Sequence, residues 1–207
     1  MITNEKQIKK PRIYWLPLNL VTRGKWRDLT KTAKAILPVL GLHADDCGVC
    51  WPSRELISEL SGIKKLEYVD SGLNCLRTMG LMDKRRRGRK NIYTLKENAI
   101  RRSGSYFPMT EGRFTSGWWA KLKPCEKAVF VVLAVKGTIV KLDSFDLFPL
   151  EYDSDEIQCY GYIRPKRWQK LTGICRRSWY TGLAGLEEDG AIRIGSNNQY
   201  MVYKYSI

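Results

Sequence analysis

The chain holds a single histidine, His43, among 207 residues. Paired-histidine metal sites within the chain are therefore excluded, and histidine-relayed nucleophiles are excluded everywhere except around that residue. It has no P-loop, no GxGxxG, and no serine placed with a base at a recognisable spacing. No apolar run approaches the roughly 18 residues that a membrane-crossing helix needs. The longest, Ala128 to Val135, has eight. The opening residues Met1-Ile-Thr-Asn-Glu-Lys-Gln lack the apolar centre of a secretory signal. The six cysteines are accordingly expected as reduced thiols in a cytoplasmic protein. Acidic residues are also scarce: 21 Asp and Glu stand against 36 Lys and Arg, a formal charge of +15. With a pI near 9.6, such a chain expects a polyanionic partner. The excess is lopsided, since residues 1–105 carry 22 bases against 10 acids and residues 106–207 carry 14 against 11.

One cluster invites a metal reading. His43-x3-Cys47-x2-Cys50 looks like half of a zinc site, but tetrahedral zinc needs four ligands and no partner motif lies nearby. No metal, no cofactor and no enzymatic activity is expected.

What is present centres on Ser53 to Tyr93. Ser53 follows Pro52 and can cap a helix with apolar positions Leu56, Ile57 and Leu60. Gly62 then allows a sharp turn at no steric cost. Leu66, Val69, Leu73 and Leu76 resume at spacings of three and four, one face of a second helix. Gly80 can end it, and Leu81-Met82 and Ile92 to Leu95 predict two short strands. Between those strands, Lys84-Arg-Arg-Arg-Gly-Arg-Lys90 places six cations around one glycine, so the hairpin must project into solvent. Helix, glycine turn, helix and charged hairpin together resemble a winged helix-turn-helix. The resemblance implies that the second helix enters the major groove while the hairpin, the wing, lies along the sugar–phosphate backbone.

The same unit occurs twice. Gly24-Lys-Trp26-Arg-Asp-Leu29 matches Gly117-Trp-Trp119-Ala-Lys-Leu122, Lys34-Ala-Ile36 matches Lys127-Ala-Val129, and Leu40 matches Leu133, all at an offset of 93. Gly48 and Pro52 match Gly161 and Pro165 at 113. Leu60-Ser-Gly-Ile63 matches Leu171-Thr-Gly-Ile174 at 111, and Gly72-Leu73, Leu76 and Gly80 match Gly182-Leu183, Leu186 and Gly190 at 110. A series that keeps its order and nearly its register is a tandem duplication. The expected domains are 1–96, a linker at 97–113, and 114–207. The jump in offset marks an insertion at about 141–158, which carries six acids from Asp143 to Glu156. It is expected as a solvated loop, with docking of a basic partner as the alternative.

The expected fold is mainly α with small β-hairpin wings (α+β), in two tandem winged helices. Ile13 to Val21 is expected to pack on the first unit as a lead-in. Thr30 can cap a helix with stripe Ala33, Ile36, Leu37 and Leu40. Pro38 inside it predicts a kink, or packing that offsets a cost of about 3 kcal/mol. The second copy's first helix is predicted from Pro124, a good first-turn residue, through Val135. Its wing is predicted as Ile192 to Val202.

Core positions on the first recognition helix leave Lys64, Lys65, Glu67, Tyr68 and Ser71 to face bases: Glu67 can accept from cytosine N4 and a lysine can donate to guanine. On the second, Arg176, Arg177, Ser178 and Thr181 face outward, and Arg177, in place of Glu67, can grip guanine with both arms of its fork. Trp179 falls on the apolar stripe and is expected in the core; Tyr180 is left open between stacking and surface. Phosphate contacts are expected from wing residues Lys84, Arg85, Arg86, Arg87, Arg89 and Lys90, from Arg164, Lys166 and Arg167 at a helix start, and from Arg193 in the second wing.

Taken whole, residues 12–207 resemble tandem winged-helix proteins of plasmids and phages, especially replication initiators. The Gly-x-Trp-x-x-Leu element, the Lys-Ala-led helix and Trp51-Pro52-Ser53 carry that resemblance. It implies double-stranded DNA as partner, an origin with repeated half-sites, recruitment of host replication proteins, and a cytoplasmic location on nucleoid or plasmid. Two alternatives are a transcriptional regulator at a promoter and a protein-interaction module built on the second unit and its acidic insertion. The oligomeric state stays open, a homodimer included.

Overall fold

A computed structural model describes residues 12–96, 99, 106–139, 157–162, 165–195 and 199–203. The acidic stretch from Asp143 to Glu156 lies outside them.

The first copy runs β1 (Ile13–Pro17), α1 (Leu18–Thr22), α2 (Lys25–Asp28), α3 (Lys31–His43), β2 (Val49–Cys50), α4 (Arg54–Ser61), α5 (Leu66–Thr78), β3 (Met82–Arg87) and β4 (Lys90–Leu95). Its capping follows the residues present. Thr30 accepts from the Ala33 N–H at 3.2 Å and Ser53 from the Leu56 N–H at 3.1 Å, each satisfying a donor that the first turn leaves free. Gly62 ends α4 with φ 74°, the left-handed conformation that favours glycine. Pro38 does not break α3, which continues to His43 with Ile36 to Leu42 all buried. Packing of those flanking residues is what holds the turn together. Gly72 lets α5 cross α3 closely: a Cβ there would stand 2.6 Å from Ile36 Cδ1 and 3.0 Å from the backbone of Thr32.

The second copy runs β5 (Tyr106–Thr110), α6 (Gly112–Thr115), α7 (Trp118–Lys121), α8 (Pro124–Lys136), β6 (Thr138–Ile139), β7 (Ile157–Tyr162), α9 (Pro165–Thr172), α10 (Arg176–Glu188), β8 (Ile192–Ile194) and β9 (Gln199–Tyr203). Strand order is β2-β4-β3 in the first small sheet and β6-β7-β9-β8 in the second.

Two expectations change. The segment 97–113, expected as a linker, supplies β5, which pairs antiparallel with β1. The lead-in and the linker are therefore equivalent strands of the two copies, and each satisfies the other's backbone. The centre of the ladder is Trp15 opposite Pro108, two residues separated by the repeat offset of 93, so an approximate two-fold axis passes through that pair. Nor do the copies have separate cores. One continuous cluster of buried residues includes Leu37, Val69 and Leu73 of the first copy with Phe130, Leu133 and Trp179 of the second. Helices α3 and α8 pack against each other at its centre.

The two-fold relation is visible in detail. Trp26 donates from Nε1 to the Ala128 carbonyl at 3.3 Å, and Trp119 donates to the Ala35 carbonyl at 3.0 Å. Lys34 and Lys127, expected nowhere as core residues, are 3% exposed. Lys34 Nζ donates to the carbonyls of Arg27 at 3.2 Å and Leu29 at 2.6 Å. Lys127 makes the matching bonds to Ala120 and Leu122. Each ammonium thus takes up carbonyls that a short helix leaves free at its C-terminal end. Burial pushes both amines down to about 8.

Candidate nucleic-acid interface

In the first copy, Val69, Gly72, Leu73 and Leu76 bury one stripe of α5, which turns Glu67, Tyr68 and Ser71 outward. Lys64 and Lys65 are exposed at the entrance to the helix, and the Lys65 ammonium stands 5.9 Å from the centre of the Tyr68 ring. The wing pairs from Met82 opposite Leu95 out to Arg87 opposite Lys90, longer than its apolar ends alone predict. Gly88, at φ 59°, turns it, and no atom lies within 4 Å of where its Cβ would be. The hairpin tip therefore projects.

Strand alternation puts Lys84 and Arg86 of β3 on the opposite face from Arg85 and Arg87, and Arg89 and Lys90 join the first pair from the hairpin tip. Lys84, Arg86, Arg89 and Lys90 line an open trough of about 810 Å³ bounded by Asp70 and Asn74 of α5 and by Trp51 to Glu55 at the start of α4. Arg85 and Arg87 are exposed but do not line it. Lys84 is half-buried at the wing's base, 4.0 Å from the Asp70 carboxylate, which also takes Arg54 at 2.8 Å. Asp70 thus ties both helices of the helix-turn-helix to the wing. Arg86 donates from Nε to the Gly88 carbonyl at 3.2 Å and is otherwise exposed.

In the second copy, Trp179 is fully buried, with Gly182, Leu183 and Leu186 on the same stripe of α10. Arg176 and Arg177 are exposed on its first turn, and the Arg176 guanidinium lies 5.8 Å from the Tyr180 ring centre. Tyr180 is 44% exposed. Two of the outward candidates are partly engaged at home. Ser178 is half-buried, with Oγ 3.2 Å from Cys175 Sγ, and Thr181 donates to the Arg177 carbonyl at 3.0 Å. That contact with Ser178 is the leading cause that lowers the Cys175 thiol below its ordinary value. Lys166 and Arg167 are exposed on the first turn of α9, and Arg193 is exposed on β8. Arg164 and the wing turn Ser196 to Asn198 lie outside the described residues.

The cysteine–histidine cluster is arranged differently from a metal site. Cys50 is fully buried on β2 and its thiol is pushed up to about 12, while His43 Nδ1 lies 3.2 Å from Arg12. Among the described residues, no group of three or more His, Cys, Asp or Glu could hold a metal ion.

Reading from the sequence missed Trp51, Arg54 and Asp70. Arg54 and Asp70 have no periodic signal, because their meeting depends on how two helices cross. Trp51 had a local one, since it stands two residues before the capping serine of a surface helix.

A helix pair turned at glycine, an exposed first turn on the second helix and a projecting basic hairpin define a helix-turn-helix DNA-binding domain. Residues 27–82, from α2 to the first residue of β3, match a family model described as a helix-turn-helix domain. No curated protein and no solved structure matches the chain. The first copy is thereby a helix-turn-helix that binds double-stranded DNA with sequence preference.

Proposed function

We propose that both copies bind one duplex, and that the protein is a replication initiator or accessory protein of a plasmid or other mobile element. It works by binding and by recruiting host replication proteins, without cutting DNA. The observation that carries the two-copy reading is the approximate two-fold axis through Trp15 and Pro108. A two-fold protein presents its paired helices in opposite senses, so its target is two half-sites in inverted orientation, about one helical turn apart. The half-sites differ in sequence, because Glu67 in one rod is replaced by Arg177 in the other. The origin role is supported by the Gly-x-Trp-x-x-Leu, Lys-Ala and Trp-Pro-Ser elements, which resemble plasmid and phage initiators. A cytoplasmic, DNA-associated location goes with this reading; among the described residues no helix is long and apolar enough to cross a membrane.

Selection of bound duplexes from a random library tests it. Two unlike half-sites in opposite orientation are expected, and in the source genome their match is expected at an origin. Direct repeats of one half-site would refute the two-fold reading, and matches confined to promoters would refute the origin role. At the wing, replacing Arg86, Arg89 and Lys90 by Ala flattens the log–log salt dependence of binding by about three units if each holds a phosphate. Replacing Arg85 and Arg87 flattens it less.

A further inference from the structure

Trp51 is the most exposed large hydrophobic side chain among the described residues, at 59%. Nothing about its neighbours lets it retreat. Cys50 is fully buried and paired with Tyr93, Pro52 is buried, and Ser53 is fixed as the cap of α4. The fold holds an indole out at the edge of the trough between recognition helix and wing.

The trough is basic where Trp51 meets it. Arg54 and Lys84 share the carboxylate of Asp70, while Arg86, Arg89 and Lys90 line the same trough on the wing. An apolar ring beside a row of cations is complementary to a sugar–phosphate strand, whose phosphates alternate with apolar sugar faces. The repeat supports the same view of the position. At the offset of 113 that relates Pro52 to Pro165, Trp51 corresponds in sequence to Arg164. A core position would not take that exchange; a surface that meets a nucleic-acid backbone accepts both.

We propose that Trp51 packs its indole face against a deoxyribose of the DNA strand lying in this trough, between phosphates held by Arg86 and by Arg89 with Lys90. The contact rests on the DNA-binding reading above and adds a non-electrostatic anchor to it. It fixes how deeply the wing and α5 sit on the duplex.

The test uses the full chain, with Trp51→Ala and Trp51→Phe, and a mixed-sequence duplex of about four helical turns. Thermal unfolding first establishes that the variants fold as the wild type does. Trp51→Ala is expected to weaken binding about tenfold at every salt concentration, with the salt slope unchanged, because a sugar contact releases no counterion. Arg86→Ala, by contrast, flattens the slope by about one unit. Trp51→Phe keeps most of the affinity. Of the other six tryptophans, Trp26, Trp118, Trp119, Trp168 and Trp179 are at most 6% exposed and Trp15 is half-buried on β1 and does not line the trough, so Trp51 is the indole placed to report on DNA there. Duplex is expected to shift the wild-type emission to the blue and to leave Trp51→Phe almost unchanged. Wild-type affinity in Trp51→Ala, a flattened slope in that variant, or loss confined to single-stranded DNA each overturns the sugar contact. A wild-type chain that fails to bind the duplex overturns the DNA-binding reading itself, and this contact with it.

Discussion

Trp26 donates its indole proton to the carbonyl of Ala128, a residue that belongs to the other copy of the repeat, at 3.3 Å. Trp119 returns the bond to Ala35 at 3.0 Å. Both rings are fully buried, so each copy supplies part of the other's interior.

Unfolding should therefore be one event. Urea denaturation followed by tryptophan emission and by circular dichroism is expected to give coincident, single transitions. Trp26→Phe and Trp119→Phe each keep a ring but lose the bond, at a cost of about 1–2 kcal/mol, and each shifts the whole transition. Two separable transitions, or a stably folded fragment 1–105, would show the copies to be independent.

The turns of the two helix-turn-helix units are locked across the same boundary. A Cβ on Gly62 would stand 2.0 Å from the Ala120 carbonyl oxygen, and one on Gly173 would stand 2.1 Å from that of Arg27. Gly80 has a similar backbone, φ +65°, with nothing within 4 Å. Gly80→Ala is expected to cost only the left-handed backbone, about 1–2 kcal/mol. Gly62→Ala and Gly173→Ala add overpacking against rigid backbone, for about 2–5 kcal/mol in all. Equal urea midpoints for Gly62→Ala and Gly80→Ala would remove the cross-copy contact.

The buried lysines give a dependence on pH. Lys34 and Lys127 are held at about 8, against an ordinary value of 10.5. Between those limits the unfolded chain keeps protons that the folded chain has released, so rising pH stabilises the fold. The slope reaches at most about 1.4 kcal/mol per pH unit for each lysine. Cys50, raised from 9.0 to about 12, acts in the opposite direction above pH 9, so the gain is cleanest from pH 8 to 9. Urea midpoints measured through that interval should rise in the wild type and stay level in the Lys34→Met, Lys127→Met double variant. A falling wild-type midpoint would contradict the assignment.

Much of this was legible in residue order. Ser53, Gly62 and the stripe from Val69 to Leu76 specify their helices locally, and the structure follows them. The constant offset between Trp26 and Trp119 revealed the duplication. It could have been followed further back: Tyr14 and Leu16 fall on Phe107 and Met109, all four buried, but no identical residue marks the match. The face-to-face packing was not legible, because a hydrogen bond from Trp26 to Ala128 spans 102 residues and leaves no periodic trace. Lys34 and Lys127 misled for a different reason. Lysine is almost always at the surface, and only the carbonyl ends of α2 and α7 make these two exceptions.

The reciprocal tryptophans have one more consequence. Had the two halves been separate molecules, their shared interior would come apart on dilution, and folding would depend on how much protein was present. A single peptide chain removes that dependence. Each half can then drift in sequence without losing its mate, which is how the two rods could come to carry different residues, Glu67 and Arg177, at one position.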